Sequence, residues 1–239
     1  MKITYLIPVF NEIKTINKSI VEAIKIPIKN KEILVIDNNS TDGSAEVIKK
    51  FSKFKNIKII LRKKNIGYGA TLYEATKIAK GRYIYIHYSD LEYDIKTSIQ
   101  MLRLAEQKNL DAVFASRLIK KLKKKNIINI FVERPYFLAS FILTNLINIL
   151  FKKKFTDIIG TKLYKKKSVV NILPNKNNIS FDLELDAILC KKQFKSEEIF
   201  IKYNPRKNSK EKKVKWWYIF NFIIGILKAK FTNYTIKKY

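Results

Sequence analysis

Three carboxylate-bearing turns carry the chemistry in this 239-residue chain. Pro8 to Glu12 (PVFNE), Asp37 to Asp42 (DNNSTD) and Ser89 to Asp94 (SDLEYD) each follow a short apolar run. A carboxylate at the C-terminal end of a parallel strand stands where open α/β sheets bind ligands. There it can accept hydrogen bonds from a ligand or help hold a hard divalent cation. A dinucleotide site would instead place G-x-G-x-x-G after the first strand. PVFNE occupies that place, and Gly67–Tyr68–Gly69 lacks the third glycine, which argues against a Rossmann dehydrogenase. Later in the chain Asp182 and Glu184 stand two residues apart. On a strand they would share a face; on a helix they would diverge.

The surrounding pattern supplies the elements that must hold these turns. Ile3 to Val9, Glu32 to Asp37, Ile57 to Leu61, Tyr83 to Ile86 and Ala112 to Ala115 read as short buried strands. Between them Glu12 to Ile26, Ser44 to Phe54, Ala70 to Ala79 and Lys96 to Gln107 show helical spacing. Strands alternating with helices imply βαβ units and a mostly parallel sheet flanked by helices, an α/β fold. After residue 118 the text changes to five lysines within Lys120 to Lys125, then a long apolar segment from Ile127 to Phe151. Its unbroken part, Tyr136 to Phe151, is shorter than the ~20 residues a membrane crossing needs. With lysines on both flanks it reads as an in-plane amphipathic helix. Trp216 to Phe231 is a second such segment, with interfacial tryptophan, tyrosine and lysine.

The composition bounds partners and compartment. The formal charge is +29, yet only six of the 49 basic residues are arginine. Planar recognition of phosphates and base edges favours arginine, so no nucleic-acid partner is expected, and anionic lipid is the simplest counterpart. The single cysteine, Cys190, excludes an internal disulfide and fits a reducing compartment. The N-terminus has too short an apolar run for a signal peptide. The expected location is cytoplasmic, peripheral at the inner face of the membrane.

Taken in order, the motifs resemble the family 2 glycosyltransferases of the GT-A type, with polyprenyl- and dolichyl-phosphate sugar synthases as the nearest likeness. The matching text is IPVFNE (7–12), VIDNNSTDGS (35–44), RKKNIGYGAT (62–71), SDLEYD (89–94) and SR (116–117). It continues with TDIIGTKLYKK (156–166), FDLELDAI (181–188) and YNPRKNSKEKKVKW (203–216). The resemblance implies a Rossmann-like glycosyltransferase domain over residues 1–216. Its nucleotide-sugar half would be 1–118, and its acceptor half 119–216, including the apolar segment 127–151. A membrane-associating tail, 217–239, would follow.

The resemblance also implies roles. Pro8, Glu12, Asp37, Asp42, Arg62 and Gly67 would form the nucleotide pocket, Asp42 mainly by capping a helix. Asp90 and Glu92 would hold Mg2+ or Mn2+, needed to neutralise the departing diphosphate. Asp90, Asp182, Glu184 and Arg206 would serve catalysis, while Arg117, Asp157, Lys212 and Lys213 would contact acceptor or phosphate. The implied reaction is inverting transfer from a UDP- or GDP-sugar to a polyprenyl-phosphate or other lipid-linked acceptor in cell-envelope glycan synthesis. One position departs from the pattern. The family's aspartate pair would fall at 88 and 90, but the chain reads Tyr88–Ser89–Asp90. That leaves the metal in doubt and keeps open a catalytically weakened relative that binds nucleotide sugar or membrane.

Overall fold

The computed structural model describes residues 1–122, 136–177, 179–205 and 217–234. Five strands stand where the apolar runs predict them: β1 (Ile3–Val9), β2 (Lys31–Asp37), β3 (Ile57–Leu61), β4 (Tyr83–Ile86) and β5 (Ala112–Ser116). Two more, β6 (Lys162–Lys165) and β7 (Ser196–Phe200), complete a seven-stranded sheet in the order β3-β2-β1-β4-β6-β5-β7. The pairs β1–β2, β1–β4, β2–β3 and β5–β7 are parallel. Strand β6 runs against both of its neighbours, so the sheet is mixed.

Helices α1 (Ile16–Lys25), α2 (Ser44–Lys49), α3 (Tyr68–Ile78) and α4 (Thr97–Gln107) connect the strands. Three of their boundaries differ from the periodicity by two residues or more. Helix α1 starts at Ile16 because 13–15 form a turn, α2 ends at Lys49 before a further turn, and α3 begins at Tyr68, directly after Gly67. The second half adds α5 (Ile119–Leu122), α6 (Tyr136–Phe151), α7 (Lys166–Val169), α8 (Phe181–Lys191) and α9 (Tyr218–Phe231).

Side chains alternate across the strands and feed two cores. On one face Leu6, Leu34 and Ile36 join Leu143 and Ile147 of α6, Leu185 and Ile188 of α8, and Ile226 and Ala229 of α9. On the other, Tyr5, Ile7, Ile33 and Val35 meet Ile16 and Ile20 of α1 and Met101 of α4. His87, just past β4, belongs to this second side: it is buried and stacks on Tyr85 with centroids 6.4 Å apart. The apolar segment 136–151 is thus a core helix on its inner side, and α9 is buried by Ile226 and Ala229 against the same body. Among the described residues no helix is long and apolar enough to cross a membrane.

Gly160, in the turn leading to β6, fits because it has no side chain: a Cβ there would lie 1.9 Å from the Ala115 carbonyl oxygen. Because that obstacle is backbone, Gly160→Ala should lower the unfolding free energy by at least about 1–3 kcal/mol, read as a shift of the urea midpoint.

Candidate active site

The turns after β1, β2 and β4 come together at one edge of the sheet, each bent through a left-handed residue: Asn11 (φ 51°), Asn39 (φ 64°) and Leu91 (φ 60°). Asparagine tolerates this conformation, whereas leucine adopts it at a cost of about 1–2 kcal/mol. The turn at Leu91 lets the Glu92 N–H donate to Asp90 Oδ1 at 3.1 Å.

The first two turns lock each other. Asp42 accepts from the Ser44 hydroxyl (2.6 Å), the Ser44 N–H (3.0 Å) and the Ile13 N–H (2.9 Å). Burial opposes its charge, but these donors prevail and hold its carboxyl below the usual range. Ser44 Oγ in turn accepts the Glu12 N–H at 2.9 Å, and Glu12 takes the Thr15 hydroxyl at 3.0 Å. Asn38 fastens the next loop: it donates to Asn65 Oδ1 (2.7 Å) and accepts the Ile66 N–H (3.1 Å). Gly67 follows at φ 84°, where a side chain would be strained. Pro8 offers its carbonyl to the Ser89 hydroxyl at 3.2 Å. Arg62 is committed to Glu74 at 2.6 Å, with its backbone N–H on the Asp37 carbonyl.

Asp37 differs from its neighbours. Its Oδ2 accepts the Ser40 N–H at 3.0 Å. Its Oδ1 is buried with no hydrogen-bond partner among the described residues. A buried acceptor left open costs about 1–3 kcal/mol unless something else supplies a donor.

Tyr88, where the motif resemblance places a carboxylate, turns toward the second half of the chain. Its hydroxyl lies 3.3 Å from Asp182 Oδ2 and 3.3 Å from the Tyr68 hydroxyl, and Tyr68 reaches the same oxygen at 3.4 Å. These are long, weak contacts. The strong one is Lys162, whose ammonium is 3.2 Å from Asp182 Oδ2 and 2.6 Å from Asp186 Oδ2. Asp186 Oδ1 accepts the Tyr164 hydroxyl at 2.5 Å. Burial works against the Lys162 charge, yet the two carboxylates raise its pKa above the ordinary value. Burial pushes Asp186 up to about 6 despite Lys162, and pushes the hydroxyls of Tyr68, Tyr88 and Tyr164 well upward.

Segment 181–191 is helical, so Asp182 and Glu184 diverge. Asp182 faces this network, whereas Glu184, 2% exposed, accepts the Tyr234 hydroxyl at 2.6 Å. Asp186, four residues on from Asp182, is its true neighbour. The sequence reading missed Lys162, Tyr164 and Asp186. A signal existed in the i, i+4 spacing of the two aspartates, legible once the segment is taken as a helix.

Arg117 and Asp157 pair with each other. Arg117 donates from Nε (2.7 Å) and Nη2 (2.9 Å) to the carboxylate, and from Nη2 to the Ser140 hydroxyl at 2.6 Å. Asp157 is fully buried, and the Glu198 carboxylate of β7 accepts the N–H groups of Thr156 (2.7 Å) and Asp157 (2.8 Å). The guanidinium also lies 5.2 Å from the centroids of Phe137 and Tyr203. From there an aromatic row leads back: Tyr203 to Tyr93 at 5.2 Å and Tyr93 to Tyr88 at 5.7 Å. Glu92 joins the same structure by accepting the Tyr203 hydroxyl at 2.9 Å.

Among the described residues no three His, Cys, Asp or Glu side chains stand close enough to share a cation. Asp90, whose Oδ1 accepts the Glu92 N–H, and Glu92, which accepts the Tyr203 hydroxyl, are the carboxylates of this turn that could contribute to a cation site. Magnesium-type sites often use one or two carboxylates and complete their shell with substrate phosphates, so the donor set fits a cation shared with a diphosphate. Arg206, Lys212 and Lys213 lie outside the described residues.

Residues 4–173 match the family model "Glycosyl transferase family 2". A cholesterol galactosyltransferase of Borreliella burgdorferi is 36% identical over 84 residues, which is 35% of this chain and 23% of the relative. A poly(ribitol-phosphate) beta-glucosyltransferase of Bacillus spizizenii is 36% identical over 94 residues, 38% of this chain and 15% of that protein. The matches thus span less than a quarter of these curated relatives. Among solved structures, glucosyl-3-phosphoglycerate synthase from Mycobacterium tuberculosis, in complex with Mn2+, UDP and phosphoglyceric acid, is similar with a TM-score of 0.66. Its identity is 13%, over 97% of this chain and 79% of that one. A mannosyltransferase from Pyrobaculum calidifontis, in complex with GDP-Man and Mn2+, gives a TM-score of 0.61 at 13% identity, over 87% of this chain and 58% of that one. At such identity the likeness establishes the fold.

Two outcomes test the electrostatics. Lys162→Met strands the fully buried Asp186 carboxyl and the part-buried Asp182 carboxyl, so it should cost about 3–5 kcal/mol of stability in denaturant titrations. His87 gives a pH signature: burial lowers its pKa from 6.5 to about 4. The unfolded chain therefore takes up the proton first, and stability falls as pH drops from 6.5 to 4, by up to about 3 kcal/mol. Asp186 acts oppositely over roughly 4–6, because its folded pKa is raised. Subtracting His87→Phe from the parent protein isolates the histidine. The parent should lose stability relative to the variant on acidification, and parallel melting profiles would rule this out.

Proposed function

The chain belongs to glycosyl transferase family 2, and from that premise we propose that it transfers a sugar from a UDP- or GDP-sugar to a lipid-linked acceptor, polyprenyl phosphate foremost. The observation that carries the donor side is the open Oδ1 of buried Asp37, at the end of β2. An N–H of the base or an O–H of the ribose would satisfy it. Around it Asp42, Ser44 and Asn38 fix the turns that would line the pocket, with Pro8, Glu12, Arg62 and Gly67 at its margins. The nucleotide and metal complexes of the similar structures support this assignment.

In the proposed step the acceptor oxygen forms a bond to the anomeric carbon as the bond to the nucleoside diphosphate breaks, with inversion. A divalent cation, Mg2+ or Mn2+, would neutralise charge on the leaving diphosphate, with Asp90 its main protein ligand and Glu92 nearby. Arg206, Lys212 and Lys213 would supply further positive charge. Asp182 would orient the acceptor, held by Lys162, Tyr68 and Tyr88. With its Oδ2 already engaged by an ammonium, this carboxylate would act by position, which suits an oxygen that arrives as a phosphate anion. Glu184 would serve through packing, given its bond to Tyr234. Arg117 and Asp157 would shape the acceptor side as a pair. The protein would work peripherally at the cytoplasmic face of the membrane.

Tyr88 favours a second reading, a relative that binds nucleotide sugar with weakened turnover, because its hydroxyl is directed to Asp182. Calorimetric titration with UDP and GDP, each with and without Mn2+, tests both. At least one nucleotide should bind, and Asp37→Ala should weaken it about tenfold or more. Tyr88→Asp should increase the dependence on Mn2+. No binding of either nucleotide under either condition would overturn the donor assignment. Binding without release of nucleoside diphosphate from UDP- or GDP-sugars in the presence of membrane lipid would select the second reading.

A further inference from the structure

Eight of the fourteen exposed large hydrophobic side chains among the described residues lie on α6 or on α9 and the residue before it. On α6 the outward set is Leu138, Ile142 and Ile149, spaced i, i+4, i+11. On α9 it is Phe220, Ile224, Leu227 and Phe231, spaced i, i+4, i+7, i+11. Each set is one stripe along its helix. The inward sides of the same helices are buried through Leu143, Ile147, Ile226 and Ala229, so the stripes are additional to what the fold requires.

The two helices meet at their C-terminal ends. Lys230 donates to the Leu150 carbonyl at 3.0 Å and lies 5.6 Å from the Phe151 ring. The ends so joined carry Ile149 (77% exposed) and Phe231 (79% exposed), the two most exposed large hydrophobics of the described residues. Exposed Lys152 and Lys154 follow Ile149 in the chain, and exposed Lys228 and Lys230 precede Phe231. Neither 136–156 nor 217–234 contains an aspartate or glutamate.

We propose that the paired outward stripes of α6 and α9 are a docking face for an anionic lipid bilayer, with Ile149 and Phe231 entering the apolar layer and the lysines meeting the headgroups. Exposed apolar side chains flanked by lysines, on segments without carboxylates, match such a surface. A second copy of the chain is a poorer occupant, because a two-fold contact would bring lysine against lysine. The stripe also begins at the candidate site: Phe137 and Ser140, either side of Leu138, both contact Arg117. A lipid-linked acceptor could then lay its tail along α6 and bring its head group to the site. This last point rests on the activity proposed above; docking itself does not.

Flotation of the purified full chain tests the face, using vesicles of phosphatidylcholine alone or mixed with phosphatidylglycerol, and no donor. The chain should float with the mixed vesicles, less so as salt rises. Replacing both Ile149 and Phe231 by serine should lower partitioning roughly tenfold or more. Phe54→Ser, an exposed apolar side chain elsewhere, should leave it unchanged. Because both targets are exposed, the double variant should keep the parent's melting curve and circular dichroism. Absence of flotation with anionic vesicles overturns the proposal, as does equal flotation of the double variant. Light scattering that shows a dimer, broken by the double variant, would assign the face to a second copy. UDP and GDP titrations of the double variant report on the donor site separately, so failure of one reading is distinguishable from failure of the other.

Discussion

The constraint on which this structure turns is the burial of a single ammonium group. Lys162 lies on β6, the one strand that runs against its neighbours, and its side chain is 2% exposed. Removing such a charge from water is tolerated only with opposite charge and hydrogen bonds at hand. Asp182 and Asp186 provide them from one face of α8, and Tyr164 completes Asp186. Because β6 sits between β4 and β5, the pair fixes α8 over the join between the chain's two halves. Tyr68 from α3 and Tyr88 from the end of β4 then reach the same aspartate, so the first half contacts the second through Asp182.

Tyr88 gains a physical account in this setting. Where the motif resemblance leads one to expect a carboxylate stands a side chain that reaches Asp182 and opens an aromatic row through Tyr93 and Tyr203 to Phe137. Arg117, held by Asp157, caps that row. Leu91 pays for the arrangement with a left-handed backbone between Asp90 and Glu92. Tyr88 therefore belongs to a built network that joins the end of β4 to α8 and to Tyr203.

How far the sequence was legible follows from which forces are local. The strands β1 to β5 are nearly unbroken apolar runs, and the turns after β1, β2 and β4 carry their polar residues in the chain itself, so both were readable. Asp42 was legible as the residue that fixes its turn, although the N-cap of α2 is Gly43 and carries no side-chain cap bond. The strands KLYK and SEEIF were not, because their residues are chosen for partners distant in sequence: Lys162 for α8, Glu198 for the turn at 156–157. Asp182 and Glu184 stayed ambiguous until the helix settled their directions. Arg117 and Asp157 stood out singly in the sequence but not as each other's partner, since 40 residues separate them. The apolar segments were visible, but which of their sides would be buried was not.

These pairings bear on what the site can do with an acceptor. A general base must hold an accessible lone pair and a modest affinity for protons. Asp182 has its Oδ2 engaged by an ammonium and two tyrosines and its Oδ1 by the Leu183 N–H at 2.9 Å. Asp186, with its raised pKa, is the better proton acceptor, but it is fully buried behind Lys162. Glu184 points to Tyr234. The carboxylates of α8 therefore set charge and position in the second half, while Asp37 in the first keeps one buried oxygen open at the end of β2. Under the proposed activity, the first half would recognise the donor through that open acceptor. The second would leave the acceptor to bring its own negative charge, and the lysine-flanked stripes of α6 and α9 would be the place from which a lipid phosphate arrives.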